Sequence, residues 1–133
     1  MKHLVAVVVV AFLPIAAASA SVPSTAAEDY GQKVAVCTAK PDIDGQQCLA
    51  DLLKPVADQL GRTYEDALEM ATIQERAAEL RHAQAEWAKF VDAQCKFDLA
   101  QFRGGTGYWS VGYICRIKRT AARIDDLSRV AGQ

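Results

Sequence analysis

His82 has Glu79 three residues before it and Glu86 four after it. On a helix these three side chains share a face, where they would make an acid–base pair or part of a metal site. The same spacing also describes a solvated helix surface, and His82 has no second histidine to work with once His3 leaves with the N-terminal segment described below. A Gly-x-Ser-x-Gly nucleophile motif is absent. Gly104-Gly105-Thr106-Gly107 is as glycine-rich as a phosphate loop, but it lacks the Gly-Lys-Ser/Thr ending and a preceding strand. The expected catalytic, metal and cofactor sets are therefore empty, and the chain reads as a non-enzyme.

The remaining reactive groups are four cysteines, and the compartment decides what they do. Lys2 and His3 precede an apolar run over residues 4–17, followed by Ala18-Ser19-Ala20. That order is the layout of an export signal with a small-x-small cleavage site. The run is shorter than the roughly 20 residues a bilayer-spanning helix needs. Residues 1–20 are read as a signal removed after Ala20, which places the mature chain in the periplasm or outside the cell, with no stable membrane insertion. The first cysteine is Cys37, so a lipid-modified N-terminus is not expected.

In an oxidising compartment Cys37, Cys48, Cys95 and Cys115 are expected to form two disulfides. Three pairings are possible, and spacing favours one. Cys95 lies nine residues before Gly104, and Cys115 lies ten after Gly105. With a turn at the glycines, both sit about 15 Å up facing helices and can meet. Cys37 and Cys48 would then clip a turn-rich arm around Pro41, Asp42 and Gly45 to the next helix. Each bridge would stabilise by about 3 kcal/mol. Short Cys-x-x-Cys or Cys/His pairs of the kind zinc sites use are missing.

Charge is unevenly placed. Residues 21–99 carry eight basic and fourteen acidic side chains, and residues 100–133 carry six basic and two acidic. Two solvated helical layers of opposite sign explain this, and so would a surface that steers a charged partner. Nucleic acid is excluded as that partner, because the chain is exported and carries a net charge of −1 overall.

These residues need helices to position them. Leu49, Leu52, Leu53, Val56, Leu60, Tyr64 and Leu68 recur at steps of three and four. Asp44 is the expected N-cap of this helix, with Gln47 as its capping-box partner. Pro55 either kinks it or starts a second helix, and Gly61 weakens it. A second pattern runs Ile73, Ala77, Leu80, Gln84, Trp87, Val91, Cys95 and Phe102. A third runs Ile114, Ile117, Ala121, Ile124, Leu127 and Val130. Only residues 109–113 alternate as a strand would. The expected fold is all-α: a small three- to four-helix bundle with a disulfide-linked helical hairpin, over residues 37–131, behind a flexible tail at 21–36. Oligomeric state is not legible.

Trp87, Phe90 and Phe97 are expected to pack in the core. Tyr108, Trp109 and Tyr113, with Arg103 across the glycine turn, are residue types that dominate interface hot spots. They either form such a surface or cover the end of the bundle.

The ordered set Cys37, Cys48, Leu60-x-x-x-Tyr64, Gln84-x-x-Trp87, Cys95, Gly104-Gly105-Thr106, Cys115, Thr120, Arg123 and Leu127 resembles the LprI-type lysozyme inhibitor domain. The resemblance covers residues 37–127 and implies an extracytoplasmic helical domain that binds and occludes a lysozyme. It departs from the family pattern at Gly61, Thr106 and Val91, where asparagine, serine and arginine are usual. The last departure would remove a charge from a partner surface.

Lysozymes cut glycans with two carboxyl groups in a cleft. A hairpin tip built from Arg103, Gly104, Gly105, Thr106, Gly107, Tyr108 and Trp109 is the expected contact. The acidic residues Glu65, Asp66, Glu69, Glu75 and Glu79 offer a second surface, for a cationic enzyme. Gln84, Trp87, Thr120, Arg123 and Leu127 read as structural, with Arg123 paired to a carboxylate or a loop carbonyl. The competing class is a non-inhibitory envelope interaction, immunity or stress module of the same fold.

Overall fold

A computed structural model describes residues 24–133. The expected export signal lies outside the described residues. Four helices follow in order, α1 (Ala26–Thr38), α2 (Asp42–Ile73), α3 (Ala77–Ala100) and α4 (Tyr108–Ala131), with no strand among the described residues. The all-α expectation holds. The chain runs up, down, up and down, so α2 and α4 are parallel and start at the same end.

The α2/α4 pair is central, and α1 and α3 each pack on both of its members without touching each other. The main core joins Tyr30, Val34 and Cys37 of α1 to Leu49 and Val56 of α2 and to Ile117, Ala121 and Ile124 of α4. A smaller core of Val91, Cys95 and Cys115, with Trp87 against it, attaches α3. Of the α3 side chains only Val91 and Cys95 are buried, so this helix is held by one narrow stripe.

The fourth helix is not where the sequence reading placed it. Residues 26–36, expected as part of a flexible tail, form most of α1. Tyr30, Val34 and Cys37 recur at four- and three-residue steps and bury one face of the helix. Thr25 and Glu28 make a capping box: Glu28 N donates to Thr25 Oγ1 at 3.1 Å, and Thr25 N donates to Glu28 Oε2 at 3.0 Å. A carboxylate from α4 completes the cap, because Asp125 accepts from Ala26 N at 2.7 Å and from Ala27 N at 2.9 Å.

Asp44 is not an N-cap. The helix begins two residues earlier, behind Pro41, and Gln47 donates instead to Asp51 at 2.8 Å. Pro55 does not break α2, which runs through it. The proline and Asp51, whose carbonyl it deprives of a donor, are both exposed, while Val56 stays buried. Gly45, read as a turn residue, is helical and buried. A Cβ there would sit 2.9 Å from the Cys37 carbonyl oxygen, so only glycine lets α2 leave α1 this closely. The pattern from Ile73 to Ala77 is interrupted by a turn at residues 74–76. Its reversal rests on Glu75, at φ 58°, with Arg76 N donating to Ala71 O at 2.7 Å.

Residues 109–113 are helical rather than extended. Phe90 and Phe97 are 51% and 66% exposed, so neither joins the core expected of it.

Candidate functional site

Both disulfides pair as spacing favoured, Cys37 with Cys48 and Cys95 with Cys115, at Cα separations of 5.4 and 5.7 Å. The second bridge lies nearer the tip than expected. α3 ends at Ala100 and α4 starts at Tyr108, so Cys95 is about 8 Å and Cys115 about 11 Å from their helix ends, not 15 Å.

Between these ends, residues 101–107 form a chain of tight turns. Phe102 N donates to Leu99 O, Gly105 N to Phe102 O and Tyr108 N to Gly105 O, at 3.0, 3.0 and 3.3 Å. Gly104 reverses the chain at φ +82°, a conformation that disfavours any side chain. Just below, a Cβ on Gly112 would meet the Leu99 side chain at 3.2 Å, so this glycine sets how closely the two helices approach.

The tip is open to solvent. Arg103, Gly104, Gly105, Thr106 and Gly107 are all exposed, and Trp109 is 57% exposed. Tyr108 is half-buried and braces Trp109 edge-to-face, with ring centroids 5.2 Å apart. No side chain caps the N-terminus of α4, so the positive end of a 24-residue helix opens at the tip. Tyr113 is half-buried against the main core, not part of an exposed cluster.

The tip also has a neighbour that sequence reasoning missed. The α1–α2 turn lies at the same end, and a cleft of about 490 Å³ separates the two. Lys40, Asp42, Ile43 and Gln46 line it from one side, Thr106 and Ser110 from the other. Ile43 is 81% exposed. Each loop of this end therefore sits beside a disulfide. Burial of Cys37 and Gly45 behind an exposed Ile43 shows only in three dimensions.

The residues expected to be structural behave differently from one another. Gln84, Trp87 and Arg123 converge: Arg123 Nε donates to Gln84 Oε1 at 2.9 Å, and its guanidinium lies 5.9 Å from the Trp87 ring. The partner of Arg123 is thus a side-chain amide and an aromatic face, not a carboxylate or a loop carbonyl. Leu127 is buried in α4. Thr120 is half-buried and lines a groove between α2 and α3 with Leu53, Leu60 and Trp87. Val91 is 5% exposed and packs with both cysteines of the hairpin, so the departure expected at this position lies in the interior, not on a partner surface.

Charges along the hairpin are organised around Asp92, which meets Lys96 at 2.7 Å and Arg116 at 3.0 Å. These two donors, Lys96 first, hold its carboxyl below the ordinary value. Glu86, placed beside His82 by spacing, is taken by Lys89 at 2.7 Å, which lowers its pKa. His82 itself is exposed.

The family described as lysozyme inhibitor LprI matches residues 37–127. The chain belongs to this family. No curated protein and no solved structure matches it. The matched span holds both disulfides, the hairpin tip and the Gln84–Trp87–Arg123 contact of the LprI domain. It begins at Cys37, so most of α1 lies outside it, although Tyr30 and Val34 fill the same core. The LprI family is an inhibitor family, and with two disulfides it points outside the cytoplasm. No helix among the described residues is long and apolar enough to cross a membrane.

Proposed function

We propose that this chain is an exported, lysozyme-inhibitor-like protein that binds a lysozyme tip-first and occludes its cleft. Membership of the LprI family supplies the partner class. The observation that carries the geometry is a narrow, exposed tip, Arg103 to Trp109, held at its base by the Cys95–Cys115 bridge. A tip fixed in shape before binding loses little conformational entropy on docking. Arg103 and the open amino end of α4 present positive charge to the pair of carboxyl groups a lysozyme cleft contains. Trp109, braced by Tyr108, supplies a rigid apolar anchor. The α1–α2 turn, with exposed Ile43, gives the same end a second edge.

A second mode of binding has its own support. Glu65, Asp66, Glu69, Glu75 and Glu79 are exposed, and none appears in an ion pair among the described residues. That acidic stretch would attract a cationic lysozyme to the side of the bundle.

The test is a cell-wall turbidity assay with purified mature protein against chicken-type, goose-type and invertebrate-type lysozymes. Inhibition of at least one type is expected. No inhibition of any type at micromolar excess would remove the inhibitor reading and leave the non-inhibitory envelope module of the same fold.

A further inference from the structure

The helix α3 has two apolar faces, and the fold uses one. Val91 and Cys95 turn inward. On the other side Phe90, Ala93, Phe97 and Ala100 recur at steps of three and four, and all four are exposed. Beside them, a groove of about 630 Å³ between α3 and α4 is lined by Phe102, Val111, Ile114, Lys118 and Arg119, among others. The Arg119 guanidinium lies 5.4 Å from the Phe90 ring, which ties the cationic edge to the aromatic one.

The charge here is opposite in sign to that of the whole chain, which is −1. Asp98, which accepts from Gln94 at 2.8 Å, is the carboxylate of the groove, and residues 99–124 beyond it contain five basic side chains and no carboxylate side chain. Arg116 is occupied by Asp92 and Arg123 by Gln84. Lys118 and Arg119 appear in no ion pair among the described residues.

We propose that this face docks the protein peripherally on an anionic phospholipid surface. Phe90 and Phe97 enter the boundary between headgroups and acyl chains, and Lys118 and Arg119 meet the phosphates. Exposed aromatics flanked by basic side chains are the composition that binds such an interface, and each cation near an anionic leaflet adds to the attraction. The charge pattern disfavours the other occupants. A second copy meeting the same face about a two-fold axis would bring two net-positive patches together. A cationic lysozyme would be repelled. The inference does not depend on the inhibitor reading, because it uses a different face from the tip.

Co-sedimentation of the purified mature protein with vesicles tests it. Binding is expected to mixed phosphatidylglycerol–phosphatidylcholine vesicles, weakening with added salt, and not to phosphatidylcholine alone. Phe97→Ser, at a position 66% exposed, should weaken binding about tenfold. Lys118→Gln combined with Arg119→Gln should weaken it about thirtyfold. Both proteins should melt with the parent, which excludes misfolding as the cause. Absence of binding to the anionic vesicles, or equal binding by both variants and the parent, overturns the proposal. So does a concentration-dependent dimer in sedimentation velocity that Phe97→Ser abolishes, since the face would then belong to a second copy.

Discussion

Arg123 of α4 and Gln84 of α3 are joined across 2.9 Å, the polar tie of the hairpin half that the Cys95–Cys115 bridge does not reach. Trp87, one turn along α3, lies under the same guanidinium at 5.9 Å. α3 buries only Val91 and Cys95, so its attachment depends on these two fastenings more than a fully packed helix would.

Gln84→Ala should therefore lower stability by about 1–2 kcal/mol, the cost of a hydrogen bond from a charged donor, and Arg123→Ala by at least as much, since it also loses the cation–π contact to Trp87. Arg123→Lys should not restore it, because lysine lacks the planar group that serves both partners. Urea unfolding of the two single variants and the double variant reads the coupling. Simple additivity would show that the two side chains do not act together.

Gly45→Ala should destabilise by about 2 kcal/mol or more, since the added methyl meets the Cys37 carbonyl at 2.9 Å and both are backbone-fixed. Gly61→Ala is the control. It lies in the same helix with nothing within 4 Å of its Cβ, and it should stabilise by about 0.5–1 kcal/mol. Thermal unfolding of the pair should move in opposite directions.

Glu75→Gly should raise stability by about 0.5–1 kcal/mol. Glu75 holds φ 58° at the end of α2, where a side chain is strained and glycine is not. A fall in melting temperature would mean that the Glu75 side chain makes a compensating contact.

Asp125→Ala should cost about 1–2 kcal/mol, because its carboxylate accepts from two amides at the start of α1. Hydrogen exchange should show the loss first in residues 26–30, before the α2/α4 core responds.

Arg103→Ala and Tyr108→Ala should weaken lysozyme inhibition about tenfold or more, the range of an interface hot spot, with the melting temperature unchanged. Full potency in both variants would move the binding surface to the acidic stretch around Glu65, Asp66 and Glu69. Neutralising those residues should then have the larger effect.

Helical class, both disulfide pairings and the hairpin were legible in the sequence, because each rests on local spacing. Apolar residues at steps of three and four define a helix wherever it packs. Two cysteines nearly equidistant from a glycine pair meet across a turn. The Thr25–Glu28 capping box and the Tyr30, Val34, Cys37 stripe of α1 were equally local signals, hidden by the small polar residues around them.

Only the tertiary structure decided which of two apolar faces a helix buries. Phe90 and Phe97 carry the same periodic signal as Val91 and Cys95, yet the disulfide and Gly112 press the second pair against α4 and leave the aromatics to solvent. It also decided that Pro55 lies inside α2, that a glutamate reverses the chain, and that the tip shares its end with the α1–α2 turn. Each of these depends on which surface a long-range neighbour covers, and spacing along one chain does not encode that.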